Sequence, residues 1–173
     1  GRSLITPDRS TMTKVGLPLA LHAADPSLSV AGRRLCIQVF QQILPDLPQA
    51  YLMPLHVIIS VAWQQLDEPM HALAAARDAT KFAPKNPAVR RVLAHALVTA
   101  AAKNPTAPSS AEQIDEAAKT YRDLLATGKL SDAEQRDLTL ALITLEWNRG
   151  RVKEAQELIE KLGSSQSPLL ERI

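Results

Sequence analysis

The chain has 173 residues, enough for one compact domain or a short helical array. Hydrophobic residues make up 46% of it and aromatic residues only 3%, so the core must consist of Ala, Leu, Val and Ile, which suits closely packed helices and argues against an aromatic-rich sheet. Twenty basic and eighteen acidic residues give a formal net charge of +2, which is too small to indicate a nucleic acid or an anionic membrane as the partner.

No residue pattern in the sequence indicates a disulfide, a cofactor or a catalytic site. Cys36 is the only cysteine, which excludes an intrachain disulfide and a cysteine metal cluster. Because His22, His56 and His71 have no partner at metal-ligand spacing, we expect each of them to be a surface or half-buried histidine. The six glycines form no phosphate-binding loop. We therefore predict a non-enzymatic protein with no metal, no cofactor and no small-molecule substrate.

No targeting or membrane segment is recognisable. The longest apolar run, from Tyr51 to Trp63, is interrupted by Pro54 and is shorter than the roughly 20 residues that span a bilayer. The first residues lack the basic start and apolar stretch of a signal peptide. We expect no direct insertion into a membrane, and both the cytoplasm and the periplasm are compatible with the chain.

The N-terminal part of the chain is rich in helix breakers. Pro7, Gly16, Pro18 and Pro26 interrupt every longer helical pattern, so we predict a loosely structured arm over residues 1–26, with one short helix near residues 17–24. The first long helix is predicted over residues 28–44, because two apolar rows at i, i+4 spacing indicate an amphipathic helix. These rows are Leu35, Val39 and Ile43, and Cys36, Phe40 and Leu44.

Three further helices are marked by proline near their first turns. Proline is tolerated there because its missing N–H would have no partner within the helix. The pattern predicts helices over residues 54–66, 69–82 and 87–103, the last with Asn86 as its N-cap.

Glycine and capping residues delimit the remaining three helices. Residues 104–110 have the composition of a loop, and Ser110 with Gln113 is typical of a capping box that begins a fifth helix, ended by Gly128. Ser131 with Glu134 predicts a sixth helix to about residue 148, and a seventh follows Gly150 over residues 152–162. Seven helices without a strand predict an all-α fold. Residues 164–173 resemble a linker or the start of a further element.

Small residues recur at fixed places in these helices and resemble the tetratricopeptide repeat (TPR), a helix–turn–helix unit of about 34 residues. With Met53 as the first position, the unit places Ile59, Ala62 and Trp63 in its first helix, and Ala72, Ala79 and Pro84 in and after its second. Small side chains are needed there because the two helices cross at close range. We expect Trp63 to pack between helices.

Two more units follow, and together with a degenerate preceding unit they extend the predicted repeat domain over residues 27–163. A second unit begins at Pro87 and carries an 11-residue insertion, which we place in the loop between its two helices. It matches the family at Leu93, Ala94, Ala96, Ala117, Tyr121 and Leu124. A third unit begins at Arg136 and matches at Leu142, Gly150, Ala155 and Leu162. The helix at residues 28–44 resembles the second helix of a degenerate preceding unit. Pentatricopeptide repeats, HEAT repeats and unrelated α-hairpin repeats remain alternatives.

The resemblance implies a right-handed α-α superhelix of about seven helices, whose concave groove receives a peptide or protein segment. The first helix of each unit would line that groove. The groove residues implied are Val57, Val61, Gln64, Gln65, Arg91, His95, Val98, Thr99, Leu140, Thr144, Trp147 and Asn148. Chaperone-binding members of the family grip a carboxylate with Lys and Asn at the places that Val57 and Val61 occupy here, so such a clamp is not expected.

Two groups of groove residues have a specific chemistry. Arg91, His95 and Thr99 lie on one helical face and form either an anion-reading patch or an ordinary polar wall. Trp147 serves either as a binding anchor or in packing.

The function predicted on these grounds is a scaffold for protein–protein interaction, as a piece of a larger multi-repeat protein. A regulatory or assembly repeat domain of an envelope-export or transferase machine is the first alternative. A helical-repeat RNA-binding module is the second, although it needs basic residues along the groove and only Arg91 qualifies. Because terminal repeats need a polar cap, we also expect the helix at residues 152–162 to expose apolar side chains and to pair with a second copy.

Overall fold

The computed structural model describes residues 18–128 and 130–164, and within them every regular element is a helix. Residues 18–23 are helical (α1). The other elements are α2 (Val30–Ile43), a 3-10 turn (Leu44–Asp46), α3 (Gln49–Gln65), α4 (Pro69–Phe82), α5 (Pro87–Lys103), α6 (Pro108–Ala126), α7 (Asp132–Asn148) and α8 (Val152–Ser164). All seven predicted helices are present. None of the described helices is long and apolar enough to cross a bilayer.

Local capping signals begin and end several helices as predicted. The Asn86 side chain accepts hydrogen bonds from the first free N–H groups of α5, and Ser131 with Glu134 forms a reciprocal capping box at the start of α7. Gly128 and Gly150 follow α6 and α7 with φ of 63° and 72°, the left-handed conformation that glycine adopts without a steric penalty.

Two predicted helix starts are wrong. Helix α3 begins at Gln49 instead of Pro54, so Pro54 lies inside the helix. Helix α6 begins at Pro108 with Ala107 as its N-cap, and the capping box predicted at Ser110 is not formed. Ser110 is buried instead, and its hydroxyl donates to the carbonyl of Ala101 at 3.2 Å. Pro108 decides this start because its fixed φ suits the first helical position.

The insertion predicted as a loop is mostly helical. Only residues 104–107 separate α5 from α6. The two units can be compared by aligning their matching repeat positions. In that alignment α5 ends four residues later than α3, and α6 begins six residues earlier than α4. The insertion therefore lengthens both helices of this hairpin by about one to two turns.

The core consists of two apolar clusters that meet at α4. The first joins α1, α2, α3 and one face of α4, and it contains Ala20 and Ala23 of the segment predicted as a loose arm. Residues 1–17 of that predicted arm, and residues 165–173 of the predicted C-terminal segment, lie outside the described residues. The second cluster joins α4 to α5, α6 and α7.

The buried face of α2 differs from the predicted one. Arg33, Ile37 and Phe40 are buried, whereas Leu35 is 60% exposed and Val39 is also exposed. Both predicted rows are apolar, and the packing of α2 in the cluster that it shares with α1, α3 and α4 selects between them. The row through Phe40 faces the core, and the row through Leu35 faces outward.

Small residues allow α3 and α4 to approach each other closely. Ser60 has no exposed surface, and its hydroxyl donates to the carbonyl of Ala72 at 2.9 Å. Ala72 and Ala79 on α4 are also fully buried. A larger side chain at position 60 would push the two helices apart.

Two aromatic contacts fix the faces of α3. Trp63 is buried and stacks on His71 with ring centroids 4.8 Å apart, which confirms its predicted packing role. His56 is buried, contrary to prediction, and stacks on Phe82 at 5.8 Å. Burial lowers the pKa of His56 below its ordinary value, so the core favours the neutral ring.

Candidate functional site

On α3, the predicted groove residues are half-buried or exposed, and one of them is hydrogen-bonded to α2. Val57, Val61 and Gln64 are half-buried and Gln65 is exposed. The Gln65 side-chain oxygen accepts a hydrogen bond from Arg33 at 3.2 Å, and this bond joins the start of α2 to the end of α3. Part of this face is therefore occupied by contacts within the chain.

On α5, two residues of the predicted anion-reading patch or polar wall have hydrogen-bond partners within the chain. Arg91 donates to the Glu134 carboxylate at 3.3 Å, and Thr99 donates its hydroxyl to the backbone carbonyls of His95 and Ala96. Hydrogen bonds from Ser131, with a smaller contribution from the Arg91 charge, lower the pKa of Glu134 and keep it ionised. Of the patch, the exposed His95 side chain alone has no such contact among the described residues.

The predicted groove residues of α7 form an uncovered apolar row. Leu140 is 47% exposed and Trp147 is 56% exposed, and Thr144 lies between them on the same helical face. The Thr144 hydroxyl donates to the carbonyl of Leu140 at 3.0 Å, which leaves the row with little free polar character. Asn148 is exposed at its end.

Direct contacts relate the three helices that carry these residues. Helix α3 touches α5 in addition to α4. The ion pair between Arg91 and Glu134 joins the first turns of α5 and α7. Val98 is half-buried on α5, and none of the twelve predicted groove residues is fully buried.

A buried ion cluster behind the α7 row escaped the sequence analysis. Glu146 has no exposed surface and is ion-paired with Arg122 of α6, with Arg149 at 3.3 Å and with Arg151 at 3.8 Å. Arg149 also pairs with Asp115 of α6. Burial, and then the charge of Arg151, lowers the pKa of Arg149. The cluster joins the end of α7 and the start of α8 to α6.

One sequence signal could have revealed this cluster. Glu146 follows Leu138, Thr139 and Leu142 at helical spacing, so it lies on the buried face of α7. An acidic residue on such a face needs a cationic partner. Arg149 stands three residues later.

The structure has no arrangement of side chains suited to a metal ion among the residues it describes, where no group of three His, Cys, Asp or Glu side chains could hold one. Cys36 is a free, half-buried thiol on α2. The predicted exposure of the last helix is confirmed by Val152 and Ile159 of α8, whereas its pairing with a second copy stays a prediction.

Comparisons with protein-family models, with curated proteins and with solved structures found no match. The resemblance to TPR units therefore stays a prediction based on residue spacing.

Proposed function

We propose that this chain is a TPR-like repeat scaffold without catalytic activity, and that it binds a segment of another protein along α3, α5 and α7. In this proposal α3–α4, α5–α6 and α7–α8 are successive hairpins. Helices α3, α5 and α7 form one layer and α4, α6 and α8 the other.

Contacts between alternate helices support these layers. Within the first layer, α3 touches α5, and Arg91 of α5 pairs with Glu134 of α7. Within the second, Arg77 of α4 pairs with Glu116 of α6 at 3.7 Å. Such contacts are expected when helical hairpins stack in parallel, because each helix then lies beside its counterpart in the next unit.

The exposed apolar row on α7 is the single observation that carries the binding function. Leu140 and Trp147 lie on one face of α7 and leave about half of their surface in water. Exposed tryptophans are frequent anchors of protein interfaces, where each contributes about 2 kcal/mol or more when it enters a pocket. The row therefore favours a partner segment with apolar side chains.

The charge of this face favours the same kind of partner. Arg91 is the only ionisable residue with a fixed charge among the twelve groove residues, and Glu134 neutralises it. A partner that relied on a carboxylate or a phosphate would find no free cation there. We therefore expect this face to recognise its partner mainly through complementary shape and apolar contact.

Selection of peptides from a random phage-displayed library on the immobilised protein tests the proposal. Peptides enriched on the wild type should lose at least about tenfold in affinity on Trp147→Ala, measured by fluorescence anisotropy of labelled peptides. Met70→Ala is the matched control, because Met70 on α4 is exposed to the same 56% and lies in the other layer. Equal loss on both variants, or no enrichment on the wild type, would contradict the proposal.

A further inference from the structure

One edge of α8 leaves apolar side chains partly in water. Val152 is 41% exposed and Ile159 is 48% exposed. They are seven residues apart, which places them about 10.5 Å from each other along the helix and on nearly the same side of it. Gln156 lies between them and is also exposed. These three residues form the open edge of α8.

The open edge differs from the face by which α8 packs on the rest of the chain. Ala155 is fully buried, and Leu158 packs against the core cluster of α4 to α7. At about 100° per residue, the open edge lies about a quarter-turn around the helix from this packed face. Lys153 and Glu160, which are both exposed, lie about a quarter-turn further. The open edge is therefore bordered by the core on one side and by two charges on the other.

Lys153 and Glu160 carry opposite charges at the same spacing as the two apolar residues. Both lie on one side of α8, with the cation at the start of the helix and the anion in its second half. Within the part of the chain that the structure describes, neither belongs to an ion pair, whereas the preceding Arg151 is paired with Glu146. Both charges are therefore available to a binding partner.

This surface is complementary to itself when two copies of α8 run in opposite directions. Val152 of one copy then lies opposite Ile159 of the other, and Lys153 lies opposite Glu160. Both pairings fall in the same register to within about 3 Å along the helix axis, a difference that the Lys and Glu side chains can span. In a parallel pair, Lys153 would face Lys153 and Glu160 would face Glu160. Charges beside a helix–helix contact set its orientation in this way.

We infer that this chain forms a symmetric dimer in which α8 of one copy lies antiparallel to α8 of the other, along their open edges and with two reciprocal ion pairs between Lys153 and Glu160. The same patch then serves both copies, as in other two-fold contacts. The expected pairing of this helix with a second copy thereby acquires an orientation and a register. Because each copy contributes only two apolar side chains, we expect a weak dimer, with a dissociation constant of about 0.1 mM.

The dimer does not rest on the proposed binding function. Its contact residues belong to α8, whereas the apolar row with Leu140 and Trp147 belongs to α7. The two surfaces can therefore be tested with separate variants, and either can fail without the other.

Sedimentation equilibrium of the full chain, from about 10 μM to about 1 mM, measures the dimer. The wild type should change from monomer to dimer over this range. Lys153→Glu and Glu160→Lys should each weaken dimerisation at least about tenfold, because two attractions become two repulsions. The first variant lowers the net charge of +2 and the second raises it. General repulsion between copies therefore cannot produce both losses.

Exchanging the two charges tests the pairing itself. The double variant with Lys153→Glu and Glu160→Lys forms both ion pairs again, so it should dimerise within about twofold of the wild type. An equimolar mixture of the two single variants should form a mixed dimer, since each pair across it joins a Lys to a Glu. Glu112→Lys is the matched control, because Glu112 is exposed on α6 and undergoes the same change of charge. It should alter dimerisation less than about twofold.

Several results would overturn the inference. These are a wild type that stays monomeric over the whole range, single reversals without effect, and a double variant as weak as the single ones. Ile159→Ala should weaken the dimer about tenfold, because it removes apolar contact from both copies. Trp147→Ala should leave it unchanged, and the reverse outcome for these two variants would assign self-association to the α7 row instead. Circular dichroism of each variant verifies that the fold is kept.

Discussion

The buried carboxylate of Glu146 allows a demanding test of how α6, α7 and α8 are held together. Glu146→Gln keeps the size of the side chain and removes its charge. In the wild type this carboxylate is completely buried and faces Arg122, Arg149 and Arg151. In the variant the three guanidinium groups repel one another, while the ion pair of Arg149 with Asp115 and the nearby charge of Glu154 remain.

The expected loss of stability follows from the exposure of the three arginines. Removing one partner of a fully buried ion pair costs about 3–5 kcal/mol, because the other charge is left uncompensated. Here Arg122 and Arg151 are about half exposed and can be solvated, whereas the Arg149 side chain is only 15% exposed. We therefore expect Glu146→Gln to lower the free energy of unfolding by about 2–3 kcal/mol, a large part of the 5–15 kcal/mol typical of a domain.

Urea denaturation at pH 7, followed by circular dichroism at 222 nm, measures this change. Glu112→Gln is the control, since Glu112 lies exposed on α6, and its loss should stay below about 0.5 kcal/mol. Hydrogen exchange should show the largest loss of protection in α8 and at the end of α7. A stability of Glu146→Gln within about 0.5 kcal/mol of the wild type would refute the view that the cluster holds the last hairpin.

Two further predictions concern α3. His56 has a pKa below its ordinary value because it is buried, so its contribution to stability is fully present above about pH 6.5 and is lost as the pH falls through the lowered pKa. Urea titrations between pH 8 and pH 5 should show a shallower decline for His56→Gln than for the wild type, and parallel curves would contradict this. Ser60→Ala should cost about 1 kcal/mol through the lost hydrogen bond to Ala72, whereas Ser60→Leu should cost about 3 kcal/mol because α3 and α4 must separate. Equal midpoints of the two Ser60 variants would show that the helices do not cross closely there.

Contacts between distant parts of the chain explain why some of the predicted groove residues have partners that the sequence did not indicate. The row Leu140, Thr144 and Trp147 is exposed, as the resemblance to the repeat family implied. Arg91 was expected to belong either to an anion-reading patch or to an ordinary polar wall, and it is paired with Glu134, 43 residues later in the chain. A pairing between residues so far apart in the chain cannot be predicted from a local pattern, because it depends on how α5 lies beside α7. The cluster around Glu146 depends in the same way on the approach of α6.

The amino-acid sequence was sufficient for the features that depend on neighbouring residues. The cap at Asn86, the capping box at Ser131 and the left-handed turns at Gly128 and Gly150 are set by hydrogen bonds and backbone sterics within a few residues. The all-α class follows from the same local signals together with helical periodicity.

Packing decided the features in which several local solutions were equally good. Helix α2 has two apolar rows, and packing in the cluster that it shares with α1, α3 and α4 buries the one through Phe40 and leaves Leu35 in water. The insertion between α5 and α6 could form a loop or longer helices, and the buried Ser110, bonded to Ala101, accompanies the longer helices. In both cases the competing local structures differ little in free energy, so burial and hydrogen bonding between distant segments select one of them.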